Sequence, residues 1–248
     1  MKKVLLVLVL SLYLIAEVEA QQGFAIGADV GANSTWIVHQ HSYGDSEMEY
    51  QATYGYTLGL VTGFNFNELF GFRVGIRYSD QGQNYNDLVY AISTHRKADL
   101  KYFQVPVTVR YAGGRGNPKF FFELGSAFYF LQAASYSQNG GVTTHYLYDK
   151  QNVINGPASF TISDATYLYE RFDVALEFSV GAQIELGEMV YLNPGLRFNY
   201  GFTDINAEQF RREFFGRPYD SISNNFFGGI MLRLSYIAPT GKGRFSTN

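Results

Sequence analysis

The stretch Arg171–Leu186, RFDVALEFSVGAQIEL, decides the fold. Its even positions are Phe172, Val174, Leu176, Phe178, Val180, Ala182, Ile184 and Leu186. Its odd positions are Asp173, Ala175, Glu177, Ser179, Gly181, Gln183 and Glu185. Side chains of a β-strand alternate between two faces, so one face here is wholly apolar and the other polar or small. A strand needs about nine to eleven tilted residues to cross a bilayer. The segment therefore suits a strand with lipid on one side and a polar lumen on the other. A soluble sandwich strand shows the same alternation. The recurrence of the pattern, at similar length, along the whole chain favours the membrane.

Seven further segments repeat the pattern: 23–31, 54–66, 70–80, 99–112, 120–131, 189–203 and 223–237. Between them, 33–53, 81–98, 134–170 and 204–222 are long, polar and irregular. The remaining connections, 67–69, 113–118 and 187–188, are short turns. Alternating long and short connections characterise outer-membrane barrels, with the short turns in the periplasm. The expected fold is thus all-β: a transmembrane antiparallel up-and-down β-barrel of eight strands. Ten strands are the alternative, if His145–Tyr148 and Phe160–Ser163 form an extra hairpin. Closure is required either way, because lipid cannot hydrogen-bond an open sheet edge.

Composition agrees. Aromatics make up 17% of the chain, with 20 Tyr, 22 Phe, 26 Gly and no Cys. Such abundance suits aromatic girdles at two membrane interfaces. The absence of cysteine excludes disulfides and a lipid-modified N-terminal cysteine. The net charge of −3 gives no reason to expect nucleic acid as a partner.

The chain opens MKKVLLVLVLSLYLIAEVEA. Lys2 and Lys3 precede an apolar run, Val4–Ile15, too short for a spanning helix. Small or aliphatic residues follow at Val18 and Ala20. Residues 1–20 are expected to be a signal peptide, cleaved after Ala20. Residues 21–237 are then the barrel and 238–248 a periplasmic tail, in the outer membrane of a Gram-negative bacterium.

Inward positions carry the acids Asp29, Glu123, Asp173, Glu177 and Glu185 and the bases Arg73, Arg77, Arg110, Arg197 and Arg233. Side chains fill the interior of an eight-stranded barrel. Opposite charges there are expected to pair and block the lumen, since an unpaired buried charge is costly. A narrow ion path is the alternative.

Three stretches carry a family resemblance. FRVGIRYSDQGQN (72–84) is followed by LKYFQVPVTVRY (100–111) and FFFELGSAFYF (120–130). A Tyr-x-x-x-Pro strand between a Gly-ended strand and an aromatic-Gly strand resembles the PorT-like outer-membrane β-barrels of the Bacteroidota. The resemblance implies an outer-membrane barrel, usually without known activity; a few members assist protein secretion. Pro106 is unusual inside a strand, since proline removes a ladder donor. The tail beyond Ile237 departs from barrels that end on an aromatic of the last strand.

Little chemistry is legible. His39, His41, His95 and His145 all fall in expected outer loops. His39-x-His41 lacks further ligands at metal-site spacing. No catalytic residue, metal or cofactor is expected. The Gly113–Gly116 and Gly241–Gly243 stretches lack the strand-to-helix setting of a phosphate loop. The expectation is a non-enzymatic barrel with a structural or binding and assembly role. Its partners are outer-membrane lipids, the barrel-assembly machinery, and secretion or surface proteins at the outer loops. The alternatives are a lipid-modifying enzyme, with His41-Ser42 or Ser93-Thr94-His95 at the rim, and a small-solute channel.

Overall fold

The computed structural model describes residues 23–38, 49–89, 92–140, 148–149, 152–153, 159–208, 213–214, 217–218 and 223–240. The expected signal peptide and residues 241–248 of the expected tail lie outside the described residues. Eight long strands carry the fold: β1 (Gly23–Val38), β2 (Thr53–Asn65), β3 (Phe70–Val89), β4 (Ile92–Gly113), β5 (Lys119–Gly140), β6 (Phe172–Gly187), β7 (Val190–Gly201) and β8 (Asn224–Pro239). Each pairs antiparallel with its sequence neighbour. The register Asp29↔Arg233 joins β8 back to β1, so the ring closes. Closure leaves no spanning strand with an unpaired edge, as a lipid environment demands.

The alternation read from sequence sets the two faces. On β6, Leu176 is 43% exposed while its neighbour Glu177 is 0% exposed. Ile76 and Val109 are likewise exposed, and their neighbours Arg77 and Arg110 are buried. Aromatic contacts ring the apolar band at both ends. Near the short turns, Tyr111 lies 5.3 Å from both Phe70 and Phe122, centroid to centroid. Toward the other end, Tyr78 lies 6.0 Å from Tyr56 and 6.3 Å from Phe103. The short turns are locally encoded. Between β2 and β3, Asn67 Oδ1 accepts from the amides of Leu69 (2.9 Å) and Phe70 (2.7 Å), an Asx turn. Between β4 and β5, Gly114 and Gly116 take positive φ, where a Cβ is strained.

Several expected boundaries differ: most of these strands are longer, while β7, Val190–Gly201, is shorter than the expected 189–203. Within the expected loop 81–98, residues 81–89 and 92–98 are strand. β3 runs to Val89 and β4 starts at Ile92, paired through Asn84↔Lys97 and Asn86↔His95. β1 extends to Val38, β5 to Gly140 and β8 to Pro239, where Ala238 pairs with Phe24. Above the apolar band the outward face is polar and the inward face buries polar residues such as Gln81, Gln83 and Thr94 among apolar ones, so the periodicity fades while the backbone ladder continues. The ten-stranded ring is not formed. Among the described residues, Phe160–Ile162 pairs only with the outer end of β5, beside the ring, and Tyr148–Asp149 pairs with Asn152–Val153.

Pro106 sits mid-β4 and points inward. Opposite it the β3–β4 register passes from Val74↔Val107 to Arg77↔Gln104. Gly75 faces it and leaves room for the ring; a Cβ there would lie 3.2 Å from Pro106 Cγ. Glycine and proline thus fit as a pair.

Candidate functional site

The lumen is the candidate site. The inward parity of seven strands delivers four arginines and three carboxylates to one level. Arg77 on β3 donates from Nη1 to Glu177 Oε2 on β6 at 2.7 Å and from Nε to Asp29 Oδ2 on β1 at 3.2 Å. Arg197 on β7 donates from Nη2 to the same Asp29 oxygen at 2.8 Å. Arg233 on β8 clasps Glu123 on β5 through both oxygens, at 2.6 and 3.1 Å. Arg110 on β4 donates to Glu123 Oε1 at 2.7 Å, and to Gln183 and Asn193 at 2.7 and 2.8 Å. The remaining strand, β2, is reached by Arg197 Nη1 on Thr57 Oγ1 at 3.4 Å. One hydrogen-bonded belt therefore touches all eight walls. Its arginines and acids are nearly or wholly inaccessible.

Glycines make room for it. Gly59 lies across from Arg77, and a Cβ there would come within 2.4 Å of Arg77 Cγ. Gly63 lies across from Arg73 in the same way, 2.8 Å from its Cδ. The guanidinium stems lie flat over bare backbone on β2.

Three residues expected in the network stand apart. Glu185 is exposed at the β6 end, where its backbone bonds Asn117, and it pairs with none of the five arginines. Its register, Glu185↔Tyr191, continues that of the strand, but it stands at the short-turn end, beyond the reach of the arginines. Asp173 is buried but accepts from the hydroxyl and amide of Thr203 and not from an arginine. It anchors the β7–β8 connection. Arg73 donates to the Phe72 carbonyl at 2.8 Å and Asn65 Oδ1 at 2.7 Å, with no carboxylate among the described residues. It lies too near the short-turn end to reach one. Glu177 and Arg197, adjacent on neighbouring strands, come only to 3.9 Å; the register sets Glu177 opposite Asn199.

The belt is sandwiched. Toward the long connections, Tyr129 donates to Asn199 Oδ1 at 2.8 Å, and Asn225 donates to the Tyr102 hydroxyl at 3.2 Å. The two tyrosines meet edge to face at 5.6 Å. Beyond them Ile37, Leu100, Ala134 and Phe227 pack with Ala165, Tyr169 and Ile205. The last three come from segments that fold across the mouth, tied by Ala165 N to Ala134 O (2.8 Å) and Ile205 N to Ser223 O (2.9 Å). Burial pushes the Tyr169 phenol above its ordinary range. Toward the short turns, Phe121 packs with Ala112 and Met231, and the Arg110 guanidinium stands 4.2 Å over its ring.

Sequence parity alone would have added Gln183 and Asn193 to the belt. The capping residues Ala165, Tyr169 and Ile205 carry no periodic signal. Among the histidines, His95 lies on the outward face of β4, exposed; His39, His41 and His145 lie outside the described residues. Among the described residues no group of three or more His, Cys, Asp or Glu is placed to hold a metal.

A closed antiparallel ring, greasy outside and charged inside, is a transmembrane β-barrel. The chain belongs to the family of the outer membrane protein beta-barrel domain, whose profile matches residues 19–207. It is accordingly an outer-membrane β-barrel protein. No curated protein matches the sequence. Solved structures of similar shape include the outer membrane protein OprG from Pseudomonas aeruginosa, at 11% identity and TM-score 0.46, covering 89% of this chain and 97% of that one. Neisserial surface protein A aligns at 11% identity and TM-score 0.42, covering 86% and 96%. The attachment invasion locus protein Ail of Yersinia pestis aligns at 12% and 0.39, covering 87% and 98%.

Proposed function

We propose that this protein is a non-conducting outer-membrane barrel that acts through its outer surface, in a structural or binding and assembly role. The observation that carries this reading is the belt of Arg77, Arg110, Arg197 and Arg233 with Asp29, Glu123 and Glu177, which spans the lumen wall to wall. Removing one partner of such a pair would strand a buried charge, at about 3–5 kcal/mol when fully desolvated. A path for solute would have to break several pairs at once. With the lumen filled, the parts left to meet partners are the outer connections and the strand extensions.

The reading includes membership of the PorT-like barrels of the Bacteroidota, supported by the 72–84, 100–111 and 120–130 stretches. That membership would link the protein to secretion across the outer membrane. Catalysis forms no part of the reading, and signal-peptide cleavage after Ala20 does. Purified protein in planar bilayers tests the central claim. Bilayers that stay electrically silent are expected; steady single-channel steps would overturn it. Mass spectrometry of the N-terminus checks the cleavage.

A further inference from the structure

Above the outer aromatic ring, β3, β4 and β5 continue as an extended sheet, widened by Tyr50–Gln51 on one side and Phe160–Ile162 on the other. The register lines Gln51, Asn84, Lys97, Ser137 and Thr161 into one row across five strands. Asn86, His95 and Asn139 form the next row. By strand parity, both rows share the face that is lipid-facing lower down: Lys97 has the parity of Phe103 and Val107 on β4, and Asn84 that of Tyr78 and Ile76 on β3. These side chains line a groove of about 720 Å³.

Its height follows from the strand. Lys97 lies six residues beyond Phe103. At ~3.3 Å per residue and a tilt of ~40°, that is about 15 Å above the aromatic ring. There the outward face no longer meets acyl chains but the sugars of the surrounding outer leaflet. The chemistry of the groove matches that layer. Amide and hydroxyl side chains dominate, each able to donate and accept. Lys97 pairs with Asp99 at 2.9 Å, and His95 and Arg96 also reach the lining, so a few basic groups stand among the amides and hydroxyls.

We infer that this groove binds saccharide units of the lipopolysaccharide around the barrel. The amides and hydroxyls of the row meet sugar hydroxyls, and the sheet stands upright beside the glycan. The inference rests on the outer-membrane location.

The test uses the full chain folded in phosphatidylcholine nanodiscs, with heat-modifiable migration in gels as the check on folding. Deacylated core oligosaccharide of rough lipopolysaccharide is titrated and followed by saturation-transfer NMR. Saturable binding is expected, weakened at least about tenfold by Ser137→Ile with Asn84→Ile. Thr161→Val, which removes a hydroxyl at constant shape, keeps the test alive should the double variant misfold; a smaller loss in the same direction is expected. Three results would overturn the inference: no binding by the folded wild type, equal binding by folded variants, or lipid A lacking the core binding as tightly as the oligosaccharide. Loss of heat-modifiable migration would instead count against the barrel reading itself.

Discussion

Arg77 and Glu177 meet across the lumen at 2.7 Å although one hundred residues separate them in sequence. They stand on β3 and β6, with two strands between them on one side of the ring and four on the other. The pair is therefore a product of closure, and it clamps opposite walls together.

That relationship predicts strong coupling. Glu177→Leu alone should destabilise the folded barrel by about 3–5 kcal/mol, because Arg77 loses its bidentate acceptor in a dry interior. Arg77→Met with Glu177→Leu should cost clearly less than the sum of the single changes. Denaturant unfolding in lipid vesicles measures both. Strict additivity would mean that the pair contributes no coupling.

The glycine under Arg77 should be equally specific. Gly59→Ala places a Cβ against the Arg77 stem and the Ile76 carbonyl, at 2.4 and 2.6 Å. Overpacking of this kind costs about 1–3 kcal/mol. Gly187→Ala, with nothing within 4 Å of its Cβ, should leave stability unchanged. Equal unfolding midpoints for the two variants would contradict the packing described.

Closure of the lumen should depend on the belt more than on the cap. Tyr169→Ala thins the apolar layer over the mouth but leaves the charged belt in place. Planar bilayers should stay silent with that variant. Arg197→Ala with Arg233→Ala removes two of the four belt arginines and should produce transient conductance. The opposite pattern would assign the seal to the cap.

The lipid face makes a depth-dependent prediction. Leu176→Arg points a guanidinium into the bilayer, at about 2–4 kcal/mol near the midplane. Glu185→Arg, exposed at the end of β6, should fold almost as the wild type does. Folding yields in vesicles compare them, and similar yields would reverse the assignment of faces.

Hydrogen exchange checks the strand extensions. Amides of residues 81–86 and 93–100 should exchange slowly, because the β3–β4 ladder runs through them. Exchange as fast as in an open loop would return that stretch to the irregular state its composition suggests.

The sequence by itself determined the class of fold. Strict alternation in 171–186 and its repeats is a local property: each residue's polarity reports the face it occupies. Eight strands, their order, the short turns and the inward placement of Asp29, Arg77, Arg110, Glu123, Glu177, Arg197 and Arg233 all follow from it. Its reach ended above the lipid, where the outward face turns polar and the buried inward face mixes polar with apolar residues. Residues 81–89 and 92–98 lack alternation yet lie in paired strands, because backbone hydrogen bonds do not depend on side-chain polarity.

Tertiary structure alone decided who pairs with whom. Parity brings a side chain into the lumen but gives neither its height nor its partner, which depend on the stagger between strands around a closed ring. Hence Glu177 takes Arg77 from across the lumen and not Arg197 from beside it, and Arg73 and Glu185 fall outside the belt at the short-turn end. The cap of Ala165, Tyr169 and Ile205 is of the same kind. It is built from irregular segments whose burial exists only because the ring beneath them is closed and offers an apolar mouth to cover.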